Sequence, residues 1–155
     1  MRVAFDLDDT LIPSMCVFPV EKPVRRFLAR FLGHEPMRAG TARVLRHLAA
    51  RGCEIWVYTT SYRSPFTVRA QFFLYGVWIG GVVNGDIHRA RMIRYGASHK
   101  SCIKYPPAFG IDLLFDNSEA VWEEARRYDY RVVPVKPDDD NWADALIEKV
   151  EQHFR

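Results

Sequence analysis

Short apolar runs alternate along this chain with longer stretches whose apolar residues recur at helical spacing. Val3 to Leu7 is the first run of strand length. Ile55 to Tyr58 is the second, continuously apolar and so expected to be covered on both faces. Val82-Val83 predicts a short third strand closed by an Asn84-Gly85 turn. Ile111 to Phe115 predicts a fourth strand and Arg131 to Val135 a fifth. Between them, Ala42, Val44, Leu45, Leu48 and Ala49 mark a helix over Gly40 to Arg51, with Gly52 as its stop. Ser64 and Pro65 open a helix through about Tyr75, ahead of Gly76. Glu119 to Arg127 and an amphipathic Trp142 to Phe154 complete the helices. Strands alternating with helices of this length predict βαβ crossovers and an α/β fold on a mostly parallel five-stranded sheet. Such sheets bind ligands beyond the carboxyl ends of their strands.

Length and composition change this picture little. The 155 residues, 48% hydrophobic and 26% charged, suit one globular domain over 1–155, and no repeat or linker divides it. The insert 12–39 is too short for a domain of its own. It holds VEKPVRRFLARFLG, read as one short amphipathic helix whose Phe27, Leu28, Phe31 and Leu32 pack on the core. No run approaches the ~20 apolar residues that span a bilayer, so no membrane partner is expected. MRVAFDLDDTL enters a strand directly, without the apolar stretch and cleavage site of a secretory signal. The three cysteines lack C-x-x-C spacing, which argues for reduced thiols and against a disulfide framework or structural zinc. A cytoplasmic location is expected.

A formal charge of +3 tolerates a phosphorylated substrate but does not support nucleic-acid binding. Arg89, Arg91, Arg94, Lys100 and Lys104 form a basic stretch free of acids, which could contact a polyanion or a second phosphate but more often is a solvated face. Tyr95 and His99 offer it only a weak stacking surface. In GASHKS, His99 stands where a phosphate loop needs its second glycine, so no such loop is read. Asp138-Asp139-Asp140 is explained by capping and the dipole of the last helix. No histidine pair has ligand spacing, and oligomeric state is not legible.

The informative residues are Asp6, Asp8, Asp9 and Thr10, where the first strand emerges. Alternate residues share a face there, so Asp6 and Asp8 can address one cleft. Close carboxylates repel unless a cation relieves them or one keeps its proton. Those two states serve phosphoryl transfer, with one carboxylate as nucleophile and the other as proton donor. A turn and helix cap are the plainer alternative for Asp8 and Asp9.

FDLDDTL resembles the first motif of the haloacid dehalogenase (HAD) superfamily, whose members are mostly phosphatases. The resemblance implies a Rossmann-like three-layer α/β/α sandwich and an aspartyl-phosphate intermediate. Asp6 is then the nucleophile and Asp8 the general acid/base, while Asp6's carboxylate and Asp8's backbone carbonyl help hold Mg²⁺. The second motif is a hydroxyl ending the second strand, here Thr59, with Thr60 beside it. The third is a lysine that offsets charge, Lys104 or Lys100, the former favoured by the restraint of Pro106 and Pro107. The fourth is acidic: LLFDNSE supplies Asp116 as a further Mg²⁺ ligand. Many relatives carry a second acid where this chain has Asn117, a departure that weakens the local charge unless Glu119 compensates. Large cap domains, frequent in relatives, have no counterpart here, so an open site is expected. The expected function is Mg²⁺-dependent hydrolysis of a phosphomonoester, small or macromolecular. The alternative is a binding or regulatory domain that kept the scaffold with weak or no chemistry. A third reading keeps the nucleophile but changes the acceptor or bond, as in phosphotransfer or dehalogenation, the latter needing neither metal nor Asp8.

Overall fold

A computed structural model describes residues 1–96, 99 and 101–153. Lys100, one of the two lysine candidates, lies outside the described residues.

The chain folds as an α/β protein on a five-stranded sheet whose pairings are all parallel. Its strands are β1 (Arg2–Phe5), β4 (Glu54–Tyr58), β5 (Gly81–Val83), β6 (Leu113–Asp116) and β7 (Val132–Pro134). The helices are α1 (Arg26–Leu32), α2 (Thr41–Ala50), α3 (Pro65–Leu74), α4 (Gly85–Tyr95), α5 (Glu119–Tyr128) and α6 (Trp142–His153). Outside the sheet, β2 (Val20–Glu21) and β3 (Met37–Arg38) pair antiparallel. No helix among the described residues is long and apolar enough to cross a membrane.

The sheet runs β5-β4-β1-β6-β7. From β1 the chain adds strands outward on one side, then returns to add β6 and β7 on the other. The order therefore reverses between β1 and β6, which makes their carboxyl ends the topological switch point. Side chains alternate across the sheet. Val3, Phe5, Ile55, Val57, Leu113 and Phe115 join one apolar cluster with buried residues of α2 and α3 and with Leu146 and Val150. Ala4, Tyr58 and Leu114 face the other cluster, with residues of α4, α5 and the 3-10 turn Pro106–Phe109. Helices thus cover both faces, as a Rossmann-like three-layer sandwich requires.

Local chemistry explains several boundaries. Ser64 accepts the Thr67 N–H at 3.1 Å with Pro65 in the first turn of α3. Gly40, which caps α2, has φ +89°, and a Cβ there would meet the Ala143 Cβ at 2.8 Å. The close approach of α2 and α6 therefore demands glycine.

Two expectations need correction. Asn84 does not close a strand with a turn: its side chain accepts the Ile87 N–H at 3.0 Å and caps α4, a helix the charged 85–95 stretch concealed. The α1 apolar face does not reach the core, since Phe27 and Phe31 are 74% and 71% exposed. Leu28 and Leu32 are also exposed, and Ala29 is the residue of α1 that is buried. Periodicity marks an apolar face but not whether a partner covers it. Tyr95 and His99 both pack against Tyr105, and Tyr95 remains 46% exposed.

The insert has another structural role. Arg38 of β3 is buried, and its guanidinium donates to the carbonyls of Lys136, Pro137 and Asp139 at 3.0, 3.1 and 2.8 Å. It lies over the rings of Phe18 and Trp142 and reaches the Thr10 carbonyl at 3.4 Å. Burial lowers its pKa, while the charges of Asp139, Asp140 and Asp138 oppose that effect. The acidic run thus supplies counter-charge to Arg38, a role local sequence does not reveal. Arg38→Ala strands these carbonyls, and urea denaturation should show a loss of about 2–4 kcal/mol. An unchanged midpoint would contradict this anchoring.

Candidate active site

Residue parity along two neighbouring strands builds the site. Ala4 pairs with Leu114 and Phe5 with Phe115, whose rings stack 4.4 Å apart. The Asp6 N–H continues the ladder to the Phe115 carbonyl at 2.8 Å. One residue further along each strand, Asp6 and Asp116 return to the face of Ala4 and Leu114. Two acids thus stand side by side at the switch point. Both are buried, Asp116 completely.

Lys104 enters between them. Its Nζ donates to Asp6 Oδ1 and, at 2.6 Å, to Asp116 Oδ2. The lysine is 2% exposed. Burial disfavours its ammonium form, but the two carboxylates outweigh that effect and hold its pKa above the ordinary value. For Asp6 the balance is reversed. Burial pushes its carboxyl up to about 6, Lys104 pulling it down and Asp116 pushing it up again. Two acids against one base leave an excess of negative charge in a buried place.

The segment carrying Lys104 is tied on every side. Glu124 of α5 accepts the Ile103 and Lys104 N–H groups at 2.9 and 3.3 Å. The Tyr58 hydroxyl accepts the Tyr105 N–H at 2.9 Å. His88 Nε2 lies 3.0 Å from the Cys102 carbonyl, an acceptor only, so Nε2 carries the proton. Neutral Nδ1 then accepts from the Tyr58 hydroxyl at 2.6 Å, and burial, which lowers the His88 pKa, favours this neutral form. Tyr58 and His88 therefore position the lysine segment. Sequence reasoning assigned them nothing, and no local signal marks them.

The remaining candidates divide. Thr10 donates within 3.1 Å of both Asp6 Oδ2 and Asn117 Oδ1. Asn117 thus holds the hydroxyl that faces the proposed nucleophile. Glu119, offered as a compensating acid, is exposed in the first turn of α5. Thr59 is buried at the end of β4 and its hydroxyl meets Ser61 at 3.1 Å, whereas Thr60 is exposed. Asp9, at φ +59°, accepts the N–H groups of Ser14, Met15 and Cys16, each at 2.8 Å, and is a turn residue.

Asp8 does not join the central carboxylates. It forms a two-pronged pair with Arg63, at 3.0 Å from Nη1 and 2.9 Å from Nη2. Arg63 also grips Glu35 of the insert, at 2.8 and 2.7 Å. Glu35 and then Asp8 raise the Arg63 pKa against the opposing effect of burial. Neither Arg63 nor Glu35 was marked in the sequence, because 28 residues separate them.

Among the described residues no three His, Cys, Asp or Glu side chains converge as a metal cage. The donor set nonetheless fits Mg²⁺, which binds one or two carboxylates and fills its remaining positions with water, phosphate or carbonyl oxygen. Asp6 and Asp116 supply hard oxygens and a surplus charge for a cation to offset. Beside Thr59 opens a cavity of about 330 Å³, bounded by α4 and by the residues preceding Lys104. Neither a scan against protein-family models nor a search of curated proteins finds a match to this chain, so a functional reading rests on these side chains and on the resemblance carried by FDLDDTL.

Proposed function

We propose that this protein is a Mg²⁺-dependent phosphohydrolase that cleaves phosphomonoesters through an aspartyl-phosphate on Asp6. The observation that carries the reading is the buried Asp6–Lys104–Asp116 cluster at the switch point of a parallel sheet. An oxygen of Asp6 forms a bond to phosphorus as the ester P–O bond breaks. The alcohol oxygen leaves with the bonding electrons and takes a proton from Asp8. Water then attacks the same phosphorus and gives its proton to Asp8, and the phosphorus–Asp6 bond breaks to release orthophosphate. Lys104 offsets the charge of Asp6 and the phosphoryl oxygens, and Thr59 donates a hydrogen bond to them. Asp6, Asp116 and the Asp8 carbonyl would hold Mg²⁺, which supplies charge neutralisation at the transferring group. Asp8 must leave Arg63 to act. The three unpaired cysteines suit a reducing cytoplasm.

The Asp8–Arg63 pair and Asn117 also favour a second reading, a binding domain with weak or no catalysis. One assay separates the two. Purified protein should hydrolyse an aryl phosphate with millimolar Mg²⁺ and lose at least about a hundredfold in chelator. No turnover with Mg²⁺ favours the binding domain, and undiminished turnover in chelator rejects the metal-dependent mechanism.

A further inference from the structure

We propose that the cavity beside Thr59 is the leaving-group subsite and takes the aromatic-bearing alcohol of a phosphomonoester, an inference that rests on the hydrolase reading above.

The cavity is lined by Thr59, which the hydrolase reading sets against the transferring phosphoryl group, and by Cys102 and Ile103, which lead to Lys104. A phosphoryl group beside Thr59 therefore has this space next to it for the alcohol. Its volume, about 330 Å³, is at the lower end of the range that small-molecule sites occupy, roughly 300–1,000 Å³. That suits a ring system rather than a polymer.

The walls decide the chemistry. α4 contributes Met92 and Ile93, the lysine segment Ile103, and the loop after β4 the ring of Tyr62. Among the described residues no carboxylate lines the space. His88 also borders it, but both its ring nitrogens are engaged, by Tyr58 and by the Cys102 carbonyl. Thr60 and Arg89 also line the space, but sugar or polyol hydroxyls turned toward Ile93 and Ile103 find no partner there, at a cost in desolvation. A flat ring loses nothing there and gains contact with the Tyr62 ring and the exposed Ile93 and Ile103 side chains. Arg89 donates to the Tyr62 hydroxyl, with its guanidinium 5.7 Å from the ring centre. This cation fixes Tyr62 as a wall. Ile93 and Tyr62 are 64% and 60% exposed, so the apolar surface they offer is not used by the core.

Binding and turnover are separable in the test. Asp6→Asn protein removes the proposed nucleophile, so calorimetry with Mg²⁺ reads binding alone. The probes are 2-phenylethyl phosphate and ethyl phosphate, alcohols of similar acidity. The phenyl compound should bind about tenfold tighter or more. Adding Ile93→Asp should bring the two affinities within about twofold, and adding Tyr62→Ala should narrow the gap. Circular dichroism checks that these surface variants fold. Equal affinities, no binding of either ester, or a preference that survives both variants overturns the subsite. Wild-type turnover of the same esters reads the hydrolase separately. Turnover with equal affinities sinks the subsite alone, and a binding preference without any turnover sinks the hydrolase and with it the leaving-group role.

Discussion

Asp6→Asn should lose turnover on the order of 10³-fold or more while becoming more stable than the wild type at pH 8. The two effects share one origin. Burial raises the Asp6 pKa from 3.8 to about 6, so the folded state holds a proton that the unfolded chain has already released between those values. Stability from this group is therefore fully present below about pH 4, falls as pH rises through 6, and stays low above it. Asparagine has no charge to bury and removes that loss. Its amide oxygen can still accept from Lys104, and its NH₂ can donate to Thr10 Oγ1, which keeps donating to Asn117. We expect a gain of about 1–3 kcal/mol at pH 8 in chelator, shrinking toward zero near pH 4. Urea denaturation across pH 4–8 measures it. A variant that loses activity and stability together at pH 8 would show that Asp6 serves the fold rather than the chemistry.

Lys104→Met should have the largest effect on the fold. Methionine fills similar space but leaves Asp6 and Asp116 buried together without a counter-charge. Removing one partner of a buried ion pair costs about 3–5 kcal/mol, because the remaining charge is uncompensated. Turnover should fall at least about a hundredfold, since the ammonium no longer offsets negative charge on the transferring group. The double variant Lys104→Met/Asp6→Asn tests the cause. Removing one of two repelling carboxylates should restore about 1–3 kcal/mol of the lost stability. A Lys104→Met protein with the wild-type denaturation midpoint, or a double variant weaker than either single, would refute the cluster as the source of these energies.

These energies depend on contacts between distant segments, and that distance separates what could be read early from what could not. The parallel sheet was legible because burial on both faces leaves a continuous apolar run such as Ile55 to Tyr58. Asp6 stood out because it follows the first such run within FDLDDTL, and Asp116 because it ends LLFD. α4 is hidden because little of it is buried, so its periodicity is faint, and Asn84-Gly85 has the same local signature whether it closes a hairpin or caps a helix. The apolar stripe of α1 misled in the opposite direction: a clear pattern stands over no core. Thr10 was visible as part of the motif, but its bond to Asn117 spans 107 residues.

By itself, then, the sequence determined which segments alternate, which stretches are buried, and that acids follow two of the apolar runs. These are short-range properties, set by periodicity and by the character of adjacent residues. Only the tertiary structure decided that β1 and β6 are neighbours, that Lys104 stands between Asp6 and Asp116, that Arg63 engages Asp8 and Glu35, and that Arg38 draws a loop toward Thr10. Strand order is a result of packing both sheet faces at once. Side chains separated by a hundred positions meet only after that packing is complete.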